Sequence, residues 1–152
     1  MSSSATEKPK PYARRQARRT LVQAVYQWQM TDADTHTLAN DFDESGSLKK
    51  ADRSFFDELL EHVTQRSDDL DAAFVELLDR ELKSLDQVEL AILRLGTCEL
   101  VHRLDVPYRV VIDEYIELAK IFGAEDSHKY VNGVLDKLAR SVRQAEFGGE
   151  RV

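Results

Sequence analysis

The chain has 152 residues, 42% of them hydrophobic and 32% charged, which is typical of one soluble globular domain. No apolar run approaches the ~20 residues that span a membrane, and the N-terminus lacks the apolar segment of a secretion signal. The single cysteine, Cys98, cannot form an internal disulfide, so a cytoplasmic location is predicted.

The net charge of −7 argues at first against a nucleic-acid partner, but the charges are unevenly distributed. Residues 8–19 contain six basic side chains and no acidic one. Removing these six from the 21 basic residues leaves 15 against 28 acidic residues, a net charge of −13 on the rest of the chain. Such a molecule would turn its basic end toward phosphates, while its acidic body would suit a basic protein partner.

Residues 1–11, which include Lys8 and Lys10, are predicted to form a flexible, basic and Ser-rich tail, and residues 146–152 a second flexible tail. Between them, residues 12–145 show apolar side chains at helical spacing and no sustained alternation. The pattern predicts an all-α, single-domain bundle of about seven helices. The predicted helices cover approximately residues 12–31, 35–43, 50–66, 67–82, 85–104, 107–122 and 126–144.

Two local features of this pattern leave alternatives open, and a third predicts where a helix begins. Val110 to Ile112 could form a strand, although Ile112, Ile116 and Ala119 continue a helical period. Either Ser84 or Asp86 opens the fifth helix. Asp105, followed by Pro107, is predicted to cap the sixth helix.

The sequence carries no recognisable catalytic signature. The four histidines lie far apart, and neither a phosphate-binding nor a dinucleotide-binding glycine motif is present. We therefore predict a non-enzymatic protein with no catalytic residue, no metal site and no cofactor.

The first predicted helix has the composition of a nucleic-acid contact. Arginine combines charge with a planar fork for phosphate, and a nearby tyrosine can stack on an unpaired base. Alternatively, the arginines pair only with carboxylates of the protein itself. The candidate RNA-binding residues of this helix are Arg14, Arg15, Arg18, Arg19 and Tyr26.

A second candidate region opens the last helix, where Asp126 or Ser127 is the expected capping residue. The free backbone N–H groups of a helix N-terminus attract anions. Gly133 would cost a helix about 1 kcal/mol relative to alanine, which suggests either tight packing or the close approach of a ligand.

Several segments together resemble the NusB family of bacterial transcription antitermination factors over about residues 13–140. The longest is ungapped and therefore specific, whereas residues 32–80 resemble the family less closely. The segments are residues 13–18 (ARRQAR), 23–29 (QAVYQWQ), 105–108 (DVPY), 116–120 (IELAK) and 122–137 (FGAEDSHKYVNGVLDK).

The resemblance implies an all-helical, non-enzymatic protein that binds the single-stranded boxA element of nascent ribosomal RNA leaders. It also implies a heterodimer with NusE, a small-subunit ribosomal protein, and indirect action on RNA polymerase with other Nus factors, without a membrane. Some members self-associate, so a homodimer is an open alternative.

By position, the resemblance assigns RNA binding to Arg14, Arg15, Arg18 and Tyr26, and to Asp126, Lys129 and Tyr130 in the second region. Glu81 and Glu89 fall where an acidic surface would meet a basic NusE. The chain departs from the family at Gln16, where another arginine is frequent, and at Tyr130, where phenylalanine is common.

Two other classes of protein remain open. NusB-like domains also precede ribosomal RNA cytosine methyltransferases, although Cys98 lies in an apolar helical context that does not suit a nucleophile. A protein adaptor would use only the acidic body and leave the arginines as internal salt-bridge donors.

Overall fold

The computed structural model describes residues 11–148, which form eight α-helices, two short 3-10 helices and no strand. The all-α prediction is confirmed. The predicted tail residues 1–10 and 149–152 lie outside the described range. The α-helices are α1 Pro11–Thr31, α2 Thr35–Glu44, α3 Arg53–Gln65, α4 Ser67–Phe74, α5 Gln87–His102, α6 Tyr108–Phe122, α7 Ser127–Val142 and α8 Gln144–Gly148, and the 3-10 helices are Val75–Leu77 and Leu82–Ser84.

Helix α5 lies at the centre of the bundle because it is apolar on nearly every side, and α1, α3, α4, α6 and α7 all contact it. Gly96 lets α5 and α7 approach closely. A Cβ atom at this position would lie 2.9 Å from Cδ1 of the buried Leu135. The side chain of Asp86, rather than Ser84, caps the helix by accepting from the backbone N–H groups of Val88 and Glu89.

Helix α1 packs against α3 and α5 through one apolar stripe that includes Ala17, Leu21 and Ala24. Of the candidate side chains that flank this stripe, Arg15, Arg19 and Tyr26 are exposed along one edge of the helix, whereas Arg18 is buried. The position of α1 in the bundle therefore decides which of its arginines reach the surface.

Two predictions about α6 have different outcomes. Residues 110–112 are helical, so the alternative of a strand is wrong. Asp105 does not cap the helix, because Pro107 occupies the N-cap position without a side-chain cap. The Asp105 carboxylate instead accepts hydrogen bonds from Arg103 and Arg14.

The C-terminal region is helical further than the sequence predicts. Residues 146–148 were expected in the flexible tail but belong to α8. The Phe147 ring lies 4.3 Å from the Tyr108 ring, and Glu146 accepts a hydrogen bond of 3.0 Å from the backbone N–H of Tyr108. These contacts fasten α8 to the start of α6.

Candidate nucleic-acid interface

Arg14 and Arg15, at the start of α1, are both paired with carboxylates of the protein. Arg14 lies 3.3 Å from Asp105 and 3.6 Å from Asp52, and its side chain is largely covered. Arg15 is 63% exposed and donates hydrogen bonds to both carboxylate oxygens of Glu114, at 3.0 Å from Nη2 and 3.3 Å from Nε. Arg15 is therefore accessible to a ligand, but an RNA phosphate would compete with Glu114 for it.

Arg18 does not lie on the surface, contrary to what a surface RNA contact requires. Its side chain is 3% exposed and donates hydrogen bonds of 2.7 and 2.9 Å to Glu99, which is 0% exposed. Tyr115 completes the cluster by donating its hydroxyl proton to Glu99 at 2.6 Å. Because the face of α1 that carries Arg18 packs on α5 and α6, this guanidinium joins three helices within the core.

The contacts within this buried cluster stabilise the charged form of Arg18 and the protonated form of Tyr115. Burial alone would lower the pKa of Arg18, but the hydrogen bond and charge of Glu99 outweigh it and raise that pKa. Burial, together with the negative charge of Glu99, raises the pKa of Tyr115 well above its usual value. Arg18 therefore stays ionised and Tyr115 stays protonated across the physiological range.

Arg19 differs from the three preceding arginines because its side chain points outward. No carboxylate among residues 11–148 forms an ion pair with it, and its guanidinium carbon lies 5.6 Å from the centre of the Phe122 ring. Of the four candidate arginines, Arg19 is the one whose charge no carboxylate of the described chain neutralises.

Tyr26 lies two turns further along the same edge and is 39% exposed. It lines an open apolar groove of about 650 Å³ between α1, α2, α5 and α6. Met30, also exposed, and Phe122 contribute to the same groove. The groove offers the size and apolar surface to receive a flat base against an aromatic ring.

The second candidate region is partly occupied by internal contacts. Lys129 lies 3.4 Å from the carboxylate of Asp126, and both side chains are exposed. Tyr130 is half-buried, and the guanidinium carbon of Arg80 lies 4.1 Å from the centre of its ring. A base that stacked on Tyr130 would have to displace Arg80 or use the ring's other side.

The start of α7 is built differently from the expected helix cap. Asp126 has a left-handed backbone conformation, with φ of 72°, and makes no side-chain cap. Ser127 is buried and donates its hydroxyl proton to Glu89 at 2.7 Å. Gly133 faces open space, so tight packing within residues 11–148 does not explain this glycine.

The two carboxylates assigned to a partner surface have different positions. Glu89 is 8% exposed and accepts the hydrogen bond from Ser127, so it is not available on the surface. Glu81 is exposed, just before the second 3-10 helix. Of this pair, only Glu81 can meet a partner without local rearrangement.

Two basic residues outside the predicted sites, Lys49 and Lys50, also belong to this surface. The structure places both exposed side chains beside Arg19, in the loop between α2 and α3. The adjacent pair of lysines is visible in the sequence, but it lies 30 residues from Arg19 in the chain. Only the fold brings the lysine pair and Arg19 together.

The contacts of Asp105 predict an acid-sensitive contribution to stability. Hydrogen bonding and charge from Arg103, with help from Arg14, lower the pKa of Asp105 to about 2. A carboxylate with a lowered pKa in the folded state stabilises the protein above the pKa of the unfolded chain, and this contribution is lost as the pH falls from about 4 to 2. The side chain is half exposed, so we expect Asp105→Asn to cost only about 1 kcal/mol at pH 7.

Urea unfolding at pH 7, 4 and 2.5 would measure this effect. The difference in free energy of unfolding between wild type and Asp105→Asn should shrink steadily toward the lowest pH. Asp41→Asn, at an exposed position of α2, is the control, and its free energy of unfolding should stay close to that of wild type at every pH. A pH-independent cost of Asp105→Asn would show that the charge of Asp105 is not responsible.

The fold and this surface define a helical bundle with a cationic and aromatic edge, and the comparisons with known proteins identify the family. The NusB family model matches residues 15–140, and the chain belongs to the NusB family. The transcription antitermination protein NusB of Alcanivorax borkumensis is 54% identical over 141 residues, which cover 93% of this chain and 94% of that protein. The protein of the same name from Marinomonas sp. is 51% identical over 137 residues, covering 89% and 79% of the two chains.

Solved structures show the same fold. T. maritima NusB superposes with a TM-score of 0.77 at 28% identity, covering 93% of this chain and 99% of that one. A chain from a crystal structure of antitermination factors NusB and NusE in complex with dsRNA has a TM-score of 0.72 at 24% identity, covering 84% and 96%. This second likeness concerns the fold alone.

Proposed function

We propose that the protein is a transcription antitermination factor that binds the single-stranded boxA element of nascent ribosomal RNA leaders, together with NusE. Its membership of the NusB family supports the role in antitermination. The observation that carries RNA binding is the exposed edge of α1, where Arg19, with which no carboxylate of residues 11–148 pairs, precedes the open groove of Tyr26. Arg15, Lys129 and Asp126 are also exposed and accessible to a ligand.

The proposed role is non-enzymatic. Catalysis of cytosine methylation by this helical domain itself would need a reactive cysteine, but Cys98 is fully buried in α5. Burial, with the nearby charge of Glu99, raises the pKa of its thiol to about 12. Cys98 therefore remains a protonated core residue and does not act as a nucleophile.

The proposed protein partner, NusE, would approach the acidic part of the molecule. Glu81 remains a candidate contact because it is exposed, whereas the buried Glu89 supports the start of α7. A protein that acts on nascent RNA with these partners would work in the cytoplasm. No helix between residues 11 and 148 combines the length and the apolar character needed to cross a bilayer.

Filter binding with a boxA-containing RNA and a scrambled RNA of equal length tests the proposal, with and without NusE. We expect a preference for boxA that increases when NusE is present. Tyr26→Ala should weaken boxA binding by about 5-fold to 100-fold, since a base stacked on an aromatic ring contributes roughly 1–3 kcal/mol. Tyr12→Ala, at an exposed tyrosine outside the groove, is the matched control and should bind nearly as wild type.

Equal, weak binding to both RNAs in either condition would rule out boxA recognition. The pairing of Arg14, Arg15 and Arg18 with Asp105, Glu114 and Glu99 favours a second candidate, the protein adaptor. An adaptor predicts NusE binding without RNA crosslinking at Tyr26. A crosslink between Tyr26 and boxA RNA would exclude it.

A further inference from the structure

Unpaired positive charge on the α1 edge is concentrated around Arg19 rather than at the start of the helix. Arg14, Arg15 and Arg18 are each within 3.3 Å of a carboxylate. Arg19, Lys49 and Lys50 form no such ion pair with any residue in the described range. These three side chains together line a groove between α1 and the loop that joins α2 to α3.

The groove has a volume of about 320 Å³ and is lined by polar or charged residues and one glycine. None of its lining residues is acidic, so no carboxylate would repel an anion from within it. Besides the three cations, the lining residues are Gln16, Thr20, Gln23, Gly46 and Ser47. The amide groups of Gln16 and Gln23 can donate hydrogen bonds to phosphate oxygens, and the cations supply the charge.

Hydrogen bonds and apolar packing fix the loop that carries the two lysines against α1. Thr20 shares its hydroxyl proton between the backbone oxygens of Gln16 at 3.2 Å and Ser47 at 3.3 Å. Asp52 donates its backbone N–H to the backbone oxygen of Ala13 at 2.9 Å. Between these two anchors, Leu48 is buried in the core. Gly46, with φ of 87°, supplies the left-handed turn that the loop requires. The groove is therefore preformed, which lowers the entropic cost of binding.

The polar groove continues directly into the apolar groove of Tyr26. Gln23 lines both, and Arg19 and Tyr26 are separated by seven residues of α1, or about 10 Å of helix rise. A strand of single-stranded nucleic acid has the same alternation of features, with phosphates on one side and flat apolar bases on the other. A basic protein partner would instead be repelled by Arg19, Lys49 and Lys50.

We propose that Arg19, Lys49 and Lys50 form a phosphodiester-binding site that holds the RNA backbone while an adjacent base lies against Tyr26. This inference rests on the proposed RNA-binding function and extends it to the loop between α2 and α3. The α2–α3 loop thereby forms one wall of the RNA path, and α1 forms the other.

The test is the salt dependence of boxA RNA binding by the full chain with Lys49→Gln and Lys50→Gln combined. For a single strand, each phosphate contact contributes about 0.7 to the slope of log affinity against log salt concentration, so the slope should fall by about 1.4. The affinity should accordingly be about 20-fold lower at 0.1 M salt and nearly equal to that of wild type at 1 M. Both lysines are exposed, and thermal unfolding should confirm that the variant is folded.

The control variant combines Lys120→Gln and Lys137→Gln, which remove the same charge from exposed positions outside the groove. We expect this control to keep the wild-type slope. An equal loss of salt slope in both variants, or no loss in either variant, would overturn the inference. The proposed function would still stand in that case, provided that wild type prefers boxA RNA to the scrambled RNA. If wild type shows no such preference, the proposed function fails and the inference fails with it. Loss of NusE binding, with RNA binding unchanged, would assign the groove to a protein and also overturn the inference.

Discussion

Glu99→Gln is expected to lower the free energy of unfolding by about 3–5 kcal/mol, because it leaves the charge of Arg18 buried without its carboxylate. The amide keeps the shape of the glutamate, so the loss measures charge rather than volume. Tyr115 would also lose an ionised acceptor for its hydroxyl proton. Urea unfolding at pH 7, followed by circular dichroism, gives the value directly.

The double variant Arg18→Met with Glu99→Leu separates charge from packing. Replacing both members of a buried pair with apolar side chains removes the unpaired charge, so part of the lost stability should return. The return is incomplete because the buried Tyr115 hydroxyl still lacks its acceptor. Arg66→Gln, at an exposed pair with Asp69, is the control and should cost less than about 1 kcal/mol. A cost of similar size for Glu99→Gln and Arg66→Gln would show that burial does not strengthen the first pair.

The same double variant tests whether Arg18 contacts RNA. If Arg18 acts only inside the core, a folded double variant should bind boxA RNA with the wild-type salt slope. A slope reduced by about 0.7 would instead assign a phosphate contact to Arg18 and require it to leave Glu99 on binding.

Arg143→Met is expected to lower the free energy of unfolding by about 2–3 kcal/mol, because charged hydrogen bonds to buried acceptors are among the stronger ones. Arg143 is 4% exposed and donates to the backbone oxygens of Leu100 at 2.6 Å, Arg103 at 3.0 Å and Glu99 at 3.2 Å. It thereby satisfies the carbonyl groups at the end of α5, and it also pairs with Glu146 of α8.

Arg140→Met is the matched control for this second variant. Arg140 lies three residues earlier, in the last turn of α7, is exposed and pairs with Asp136 on the surface. Its replacement should cost less than about 0.5 kcal/mol. Hydrogen exchange should also show faster opening of the last turn of α5 in Arg143→Met, and unchanged exchange there would contradict the proposed cap.

The helices were predictable because the apolar spacing of each segment is a local property. The limits of α2 agree with the prediction within one residue, and α5 begins at the cap that Asp86 provides. The prediction was weakest where the chain depends on distant contacts. Residues 144–148 form α8 because Phe147 and Glu146 reach Tyr108, almost 40 residues earlier.

The sequence predicts that α1 is rich in arginine, but it does not predict which of these arginines are accessible and free of a carboxylate partner. Arg18 and Arg19 are neighbours in the chain, yet they point about 100° apart on the helix, so one enters the core and the other faces solvent. The carboxylate that neutralises Arg18 lies 81 residues away, and the one that pairs with Arg15 lies 99 residues away. No spacing rule within α1 contains this information.

By itself, the sequence determined that the protein is an all-helical bundle, that its positive charge gathers in the first helix, and that its last helix opens with a motif of the NusB family. These properties depend on residues close together in the chain. Only the tertiary structure decided that Arg18 and Glu89 are buried, and that Lys49 and Lys50 complete a groove with Arg19. Burial and charge pairing depend on which helices meet, and those contacts join residues that are 30 to 100 positions apart.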